Sequence, residues 1–283
     1  MKWWGLPAKV WMTCFILLPF VWLVVLSLQT SYTASPPTKL DFHQFNRALT
    51  HPYRGIIRDS LLMSFAAALA VLMISVPVTW LISRLPRAKR NLWLAFFTIP
   101  LGLNFVVRIY AWFVLLRPEG LLTVFLGRFG FAIPLVSSQF GVFLGLVYGY
   151  LPVIFLPLYS VFERLENSHI EAAQDLGASS WQRWRDVIIP ETQSGLLASF
   201  LFVFVPMLGE YLIPRMIGGG LVATLGTQIE SQFLGSGRPN WPFGAALSIC
   251  LLLSAACILV ICFKILSRST AERQTGWSIS HIV

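Results

Sequence analysis

Glu210, in the stretch FVPMLGEYLIP, stands apart among 12 acidic residues. The others fall in polar connections or at the ends of apolar runs, and Glu210 falls inside one. An ionisable side chain in such a run is costly to hold and marks a binding or ion-pathway position by default. Pro206, Gly209 and Pro214 bracket it, so the backbone there is expected to be broken. Arg108, in FVVRIYAW, is its basic counterpart. Both lie about 16 or 17 positions into their runs, roughly 25 Å along a helix rising 1.5 Å per residue, so their depths match. Two readings stay open. Either the two form a structural ion pair, or the arginine snorkels to an interface; alternatively Glu210 faces a translocation path and meets a cationic substrate. Asp59 at the mouth of another run, with Tyr110, Trp112, Tyr148, Tyr150 and Tyr211, adds acidic and aromatic faces suited to ammonium groups. Positions in an interfacial aromatic belt account for most of these rings equally well.

The constellations of a soluble enzyme are missing. The sequence has no GxxxxGK[ST] phosphate loop, no GxSxG elbow and no HExxH. His43, His51, His169 and His281 are scattered over connections and the tail. Cys14, Cys250, Cys257 and Cys262 sit inside apolar runs without CxxC or CxxH spacing, which suits small packing residues rather than a disulfide frame or metal site. The expectation is no catalytic residue, no bound metal and no cofactor on this chain. If ATP drives it, another chain must hydrolyse the ATP.

What must position Glu210 and Arg108 is a set of membrane helices. Hydrophobic residues make up 56% of the 283 and charged residues 12%, about half the charge of a soluble domain. Runs near 10–30, 59–83, 92–116, 139–161, 193–214 and 243–266 are each long enough to cross a core of about 30 Å. We read the first as an uncleaved helix, with Tyr32-Thr33-Ala34 a weak cleavage site at best. The short RLPRAKR loop at 84–90 is the strongest orientation signal, and it places both termini in the cytoplasm. Residues 117–138, with RPEG, and 216–242, ending in Arg238-Pro239-Asn240-Trp241-Pro242, read as turns on the outer side. Gly141, Gly145 and Gly149 form a small-residue ridge for close helix packing. Pro77, Pro100, Pro152, Pro157 and Pro206 sit within spans and are expected to kink or interrupt them, which favours a transporter or channel over an inert anchor. The expected architecture is all-α integral membrane, one transmembrane domain over 1–283.

One polar stretch interrupts this pattern, SHIEAAQDLGASSWQRWRDVIIPE at 168–191 within a segment 162–192. Ser168 with Glu171 reads as a capping box, and Ser179 with Gln182 as a second. Ile170, Ala173 and Leu176 share a face; Gly177 suits a helix C′ position. Trp181, Trp184 and Ile188 make a stripe, and Pro190 is expected to stop or redirect the chain. The result is a helix, a glycine turn and a helix lying across the inner membrane surface.

At these residues the chain resembles the inner-membrane permease subunits of bacterial ABC importers. Glu171-Ala172-Ala173, Gly177, Val187, Ile189 and Pro190 match the spacing of their cytoplasmic signature, with Val187 and Ile189 as conservative replacements. RIYAW at 108–112, LPLYSVFERLENSHIEAAQDLGAS at 156–179, GEYLIPRMIGG at 209–219 and NWPFGAA at 240–246 are similar to the polyamine (spermidine/putrescine) branch. The resemblance implies a type I importer permease fold of six transmembrane helices in the inner (plasma) membrane. It also implies a coupling helix in which Glu171, Ala172, Ala173, Asp175, Leu176, Gly177, Ala178 and Ser179 meet the ATPase. The implied partners are a second, related permease forming a heterodimer, an ATPase dimer that holds ATP and Mg, and an extracytoplasmic substrate-binding protein. The implied cargo is a small cationic solute. Arg215 departs from relatives that carry an acid there, which leaves an opine, an aminophosphonate or a metal chelate as alternatives. A non-transporting scaffold or sensor is the alternative of a different class.

Overall fold

The computed structural model describes residues 6–30, 40–130, 135–235 and 239–280. Tyr32-Thr33-Ala34, Arg238 and His281 lie outside them. By packing, the chain divides into two compact units, Met1–Leu61 with Ala223–Ala255, and Leu62–Val222 with Ala256–Val283.

Among the described residues, six helical spans have the length and composition to cross a membrane: Lys9–Ser27, Tyr53–Ser83, Phe105–Arg128 (two helices with a turn between them), Gln139–Glu163, Ser180–Leu208 and Trp241–Lys264. In the first unit, α1 (Leu6–Ser27) exposes apolar side chains along most of its length. The short α2 (His43–Leu49) and α12 (Leu225–Leu234) pack with the starts of α3 (Tyr53–Ser83) and α13 (Trp241–Ser280). Their shared core is Ala48, Leu225, Phe243 and Leu247. The Arg47 guanidinium lies 4.2 Å from the Phe243 ring, and the Leu225 N–H donates to Ser60 Oγ at 2.8 Å.

The second unit corrects the third expected span. The run 92–116 is not one helix. Helix α4 (Arg87–Thr98) passes into a 3₁₀ turn, Ile99–Gly102, and α5 (Phe105–Leu116) starts afresh with Asn104 Oδ1 accepting from the Val106 N–H at 2.9 Å. Pro100 lacks an N–H to continue the α ladder, and the Asn104 cap competes for the next turn. The 117–138 connection is not all turn either, since it holds α6 (Leu121–Arg128).

Helix α7 (Gln139–Glu163) is the most buried of the six spans. Its glycine ridge seats α11 (Leu212–Ile217). A Cβ at Gly145 would stand 2.5 Å from Ile217 Cδ1 and 2.8 Å from Ile213 Cγ2, and one at Gly149 would stand 3.1 Å from Ile213 Cδ1. Gly145→Val is therefore expected to lower stability by roughly 1–3 kcal/mol through overpacking. A thermal unfolding midpoint in detergent equal to the native one would show that the ridge is slack.

The polar segment folds as α8 (Asn167–Asp175), a tight turn, α9 (Ser180–Arg183), a π-helical turn over Trp184–Ile188, and α10 (Ile189–Leu208). Pro190 was expected to stop or redirect the chain, and it does not stop it. It lies in the first turn of α10, where its missing N–H costs little because the wider π turn before it has already disturbed the i−4 ladder. The fifth span accordingly runs from the polar segment to Leu208 without interruption and ends six residues short of the expected 214.

Candidate functional site

Glu210 occupies the gap between α10 and α11. Gly209 closes α10, and Glu210 and Tyr211 are both outside regular helix. The break expected from Pro206, Gly209 and Pro214 is thus present. The half-buried carboxylate has two partners. Oε1 accepts from the Leu212 N–H at 2.9 Å, and Oε2 accepts from the Tyr150 hydroxyl at 2.9 Å. Tyr150 is buried on α7, while Tyr211 is 44% exposed next to the acid.

Arg108 is not the partner of this acid: among the described residues no ion pair joins them. Arg108 is 6% exposed, and its guanidinium donates to two backbone oxygens, Pro100 O at 3.4 Å and Gly149 O at 3.3 Å. It also faces the Phe105 ring at 5.3 Å. It therefore ties the 3₁₀ break to the middle of α7. Its Nε has no acceptor. Beside it is a cavity of about 480 Å³ lined by Phe96, Phe97, Tyr148, Pro152 and Phe155 among others. Trp112 and Tyr148 stack with centroids 4.6 Å apart and planes 8° apart. Tyr110 points elsewhere, 57% exposed and beside Phe113. Asp59 belongs to the other unit, where it pairs with Arg58 at 2.9 Å. Of the candidate path residues, the structure thus joins Glu210 with Tyr150, and Trp112 with Tyr148.

In the polar segment, Gly177 has φ +80°, a left-handed conformation that favours glycine. The Ala178 N–H reaches Ala173 O at 3.0 Å and the Gly177 N–H reaches Gln174 O at 2.9 Å, the paired bonds of a Schellman helix stop. Ser179 and Gln182 form a reciprocal capping box. The first expected box does not form. Helix α8 begins at Asn167, with Glu166 as its cap residue, so Ser168 is already inside the helix and cannot cap it; its Oγ donates to Glu166 Oε2 at 3.2 Å. Arg183 bridges the two helices through Gln174 Oε1 at 3.1 Å and Ser180 Oγ at 3.0 Å, and His169 Nδ1 meets Glu191 at 2.7 Å.

The corner projects. Leu176 is 89% exposed and Trp181 70%. Glu171, Ala172, Asp175, Gly177 and Ser179 are exposed, and Ala173 and Ala178 are half-buried. The expected Trp181–Trp184–Ile188 stripe splits, because the π turn changes the residue spacing after Arg183. Ile188 is buried, and Trp184 packs against Trp80 at 5.1 Å and Phe162 at 6.4 Å, with Trp181 left outside. Sequence reasoning missed Trp80 and Arg84. Their i, i+4 spacing was the available signal: the Arg84 guanidinium lies 4.1 Å from the Trp80 ring and donates to Asn167 Oδ1.

The family described as "Binding-protein-dependent transport system inner membrane component" matches residues 75–271. The spermidine/putrescine transport system permease protein PotB of Haemophilus influenzae is 34% identical over 261 residues, covering 90% of each chain. PotB of Escherichia coli K12 is 34% identical over 259 residues, 90% of this chain and 93% of the relative. Among solved structures, a bacterial ABC transporter involved in import of the acidic polysaccharide alginate aligns with a TM-score of 0.67 at 15% identity, covering 93% of both chains.

Proposed function

The chain belongs to the family of binding-protein-dependent transport system inner membrane components, and from that premise we propose that it is one permease half of an ATP-driven polyamine importer. Its all-α, multi-pass fold is that of ABC importer permeases. In the proposed complex a second, related permease completes the translocation path. A separate ATPase dimer carries ATP and Mg, so this chain holds no cofactor of its own. A binding protein delivers the solute from outside. Both termini and the α8–α9 corner face the cytoplasm, in line with the basic RLPRAKR loop.

The reading is carried by one observation: the exposed, glycine-stopped α8–α9 corner bearing Leu176 and Trp181. Large apolar side chains held out on a polar corner suit a protein partner that covers them. ATP binding on that partner would push on α8 and α9. The motion would enter the spans through the uninterrupted rod from Ser180 to Leu208, at whose far end stands Glu210. There the Glu210 carboxylate accepts from two neutral donors, the Leu212 N–H and the Tyr150 hydroxyl, an acidic group that suits an ammonium group of a polyamine. The PotB relatives point to the same solutes.

A second reading has its own observation. Arg215 is exposed on α11, a few residues beyond Glu210, and together they suit a zwitterion. Uptake of radiolabelled putrescine and spermidine in a strain lacking this subunit, with and without complementation, separates the two. Restored uptake of either polyamine is expected. Restoration of neither, with the protein present in the membrane, would reject the polyamine assignment.

A further inference from the structure

The corner between α3 and α4 carries charge that the transport reading uses only to set orientation. Arg84, Arg87, Lys89 and Arg90 fall within seven residues, and the sequence has no acidic residue between Asp59 and Glu119. Arg84 is engaged by Trp80 and Asn167, and Arg90 pairs with Glu163 at 3.6 Å. The Arg87 and Lys89 side chains are exposed.

Helix α4 also has two apolar sides. Leu94 and Phe97 turn inward onto the core of Ile82, Phe155 and Tyr159, with Phe97 stacked on Phe155 at 3.9 Å. Leu92, Trp93 and Phe96 turn outward and are 71%, 45% and 61% exposed. One short helix thus sets two available cations within two turns of an uncovered aliphatic and aromatic face. A loop that only meets water has no use for that face, and a purely apolar protein interface would not place free cations at its rim. A phospholipid with an acidic headgroup satisfies both: its phosphate oxygens accept from arginine and lysine, and its acyl chains cover the apolar side chains.

We infer that the α3–α4 corner binds an anionic phospholipid, with Arg87 and Lys89 on the headgroup and Leu92, Trp93 and Phe96 against the chains. The site adjoins the polar segment. Arg84 holds Asn167 at the start of α8, and Arg90 holds Glu163 at the end of α7, so the headgroup sits beside both contacts that frame the turn into α8.

The test is a lipid count on the assembled membrane complex in detergent, by native mass spectrometry. Phosphatidylglycerol is titrated against phosphatidylcholine of the same chains. Phosphatidylglycerol is expected to bind preferentially. The double variant Arg87→Gln/Lys89→Gln is expected to weaken that binding roughly thirtyfold, about fivefold for each base lost near the headgroups. The exchange Arg87→Lys/Lys89→Arg retains it. Equal binding of the two lipids overturns the inference, as does a double variant that binds phosphatidylglycerol like the native protein; both would leave this face to a protein partner. The count requires no transport, so its failure is separate from failure of the importer reading.

Discussion

Gly177→Arg is expected to assemble into the membrane complex and lose uptake on the order of tenfold or more, the effect of displacing an interface contact worth about 1.4 kcal/mol or more. The argument rests on what glycine does at this corner. Its φ of +80° costs a non-glycine residue about 1–3 kcal/mol, a local strain at an exposed turn. A Cβ there meets nothing within 4 Å, so the side chain leaves the backbone into open space. Any loss beyond the turn strain must come from the surface the corner presents. Gly177→Asn isolates the strain, because asparagine tolerates left-handed backbone and adds little bulk; it is expected to keep most of the uptake. ATPase activity measured alongside should persist in the arginine variant without transport. Normal uptake by Gly177→Arg would remove the coupling role from this corner.

Glu210→Gln has the second large effect. Glutamine keeps the shape, an oxygen for the Leu212 N–H and a partner for the Tyr150 hydroxyl, so the gap between α10 and α11 should hold its form. What disappears is the charge. A charge-assisted hydrogen bond contributes about 1.5–3 kcal/mol, so polyamine uptake should fall roughly ten- to hundredfold while the amount of complex stays constant. Tyr150→Phe is the control for structure, since it removes a donor from Oε2 and keeps the carboxyl group. It is expected to change uptake much less. If Glu210→Gln transports with native kinetics, the acid serves only to start α11.

The polar segment shows how far local chemistry is legible. The Ser179–Gln182 box and the Gly177 turn involve residues three to five apart, and both appear where the residue types indicate. The Ser168–Glu171 box obeys the same local rule and fails, because the helix already starts at Asn167 and leaves Ser168 inside its first turn. The third span fails for a related reason. Its hydropathy is continuous from 92 to 116, but Pro100 and Asn104 stop and restart the ladder within it.

Residues 1–283 taken as sequence determined that the chain crosses a membrane, approximately where its helices lie, and that the backbone breaks around Glu210, whereas the span expected to contain this acid ends at Leu208. Each of these depends on windows of neighbouring residues, where apolar length and turn chemistry act locally. Tertiary structure alone decided which groups meet at a given depth. Matching positions along two runs placed Arg108 and Glu210 level with one another, but depth is one coordinate, and the direction each helix faces is another. Packing on α7 turned Glu210 toward Tyr150 and Arg108 toward the carbonyl of Gly149. The small residues of that helix let its neighbours approach closely enough for backbone oxygens to take the place an acid was expected to fill.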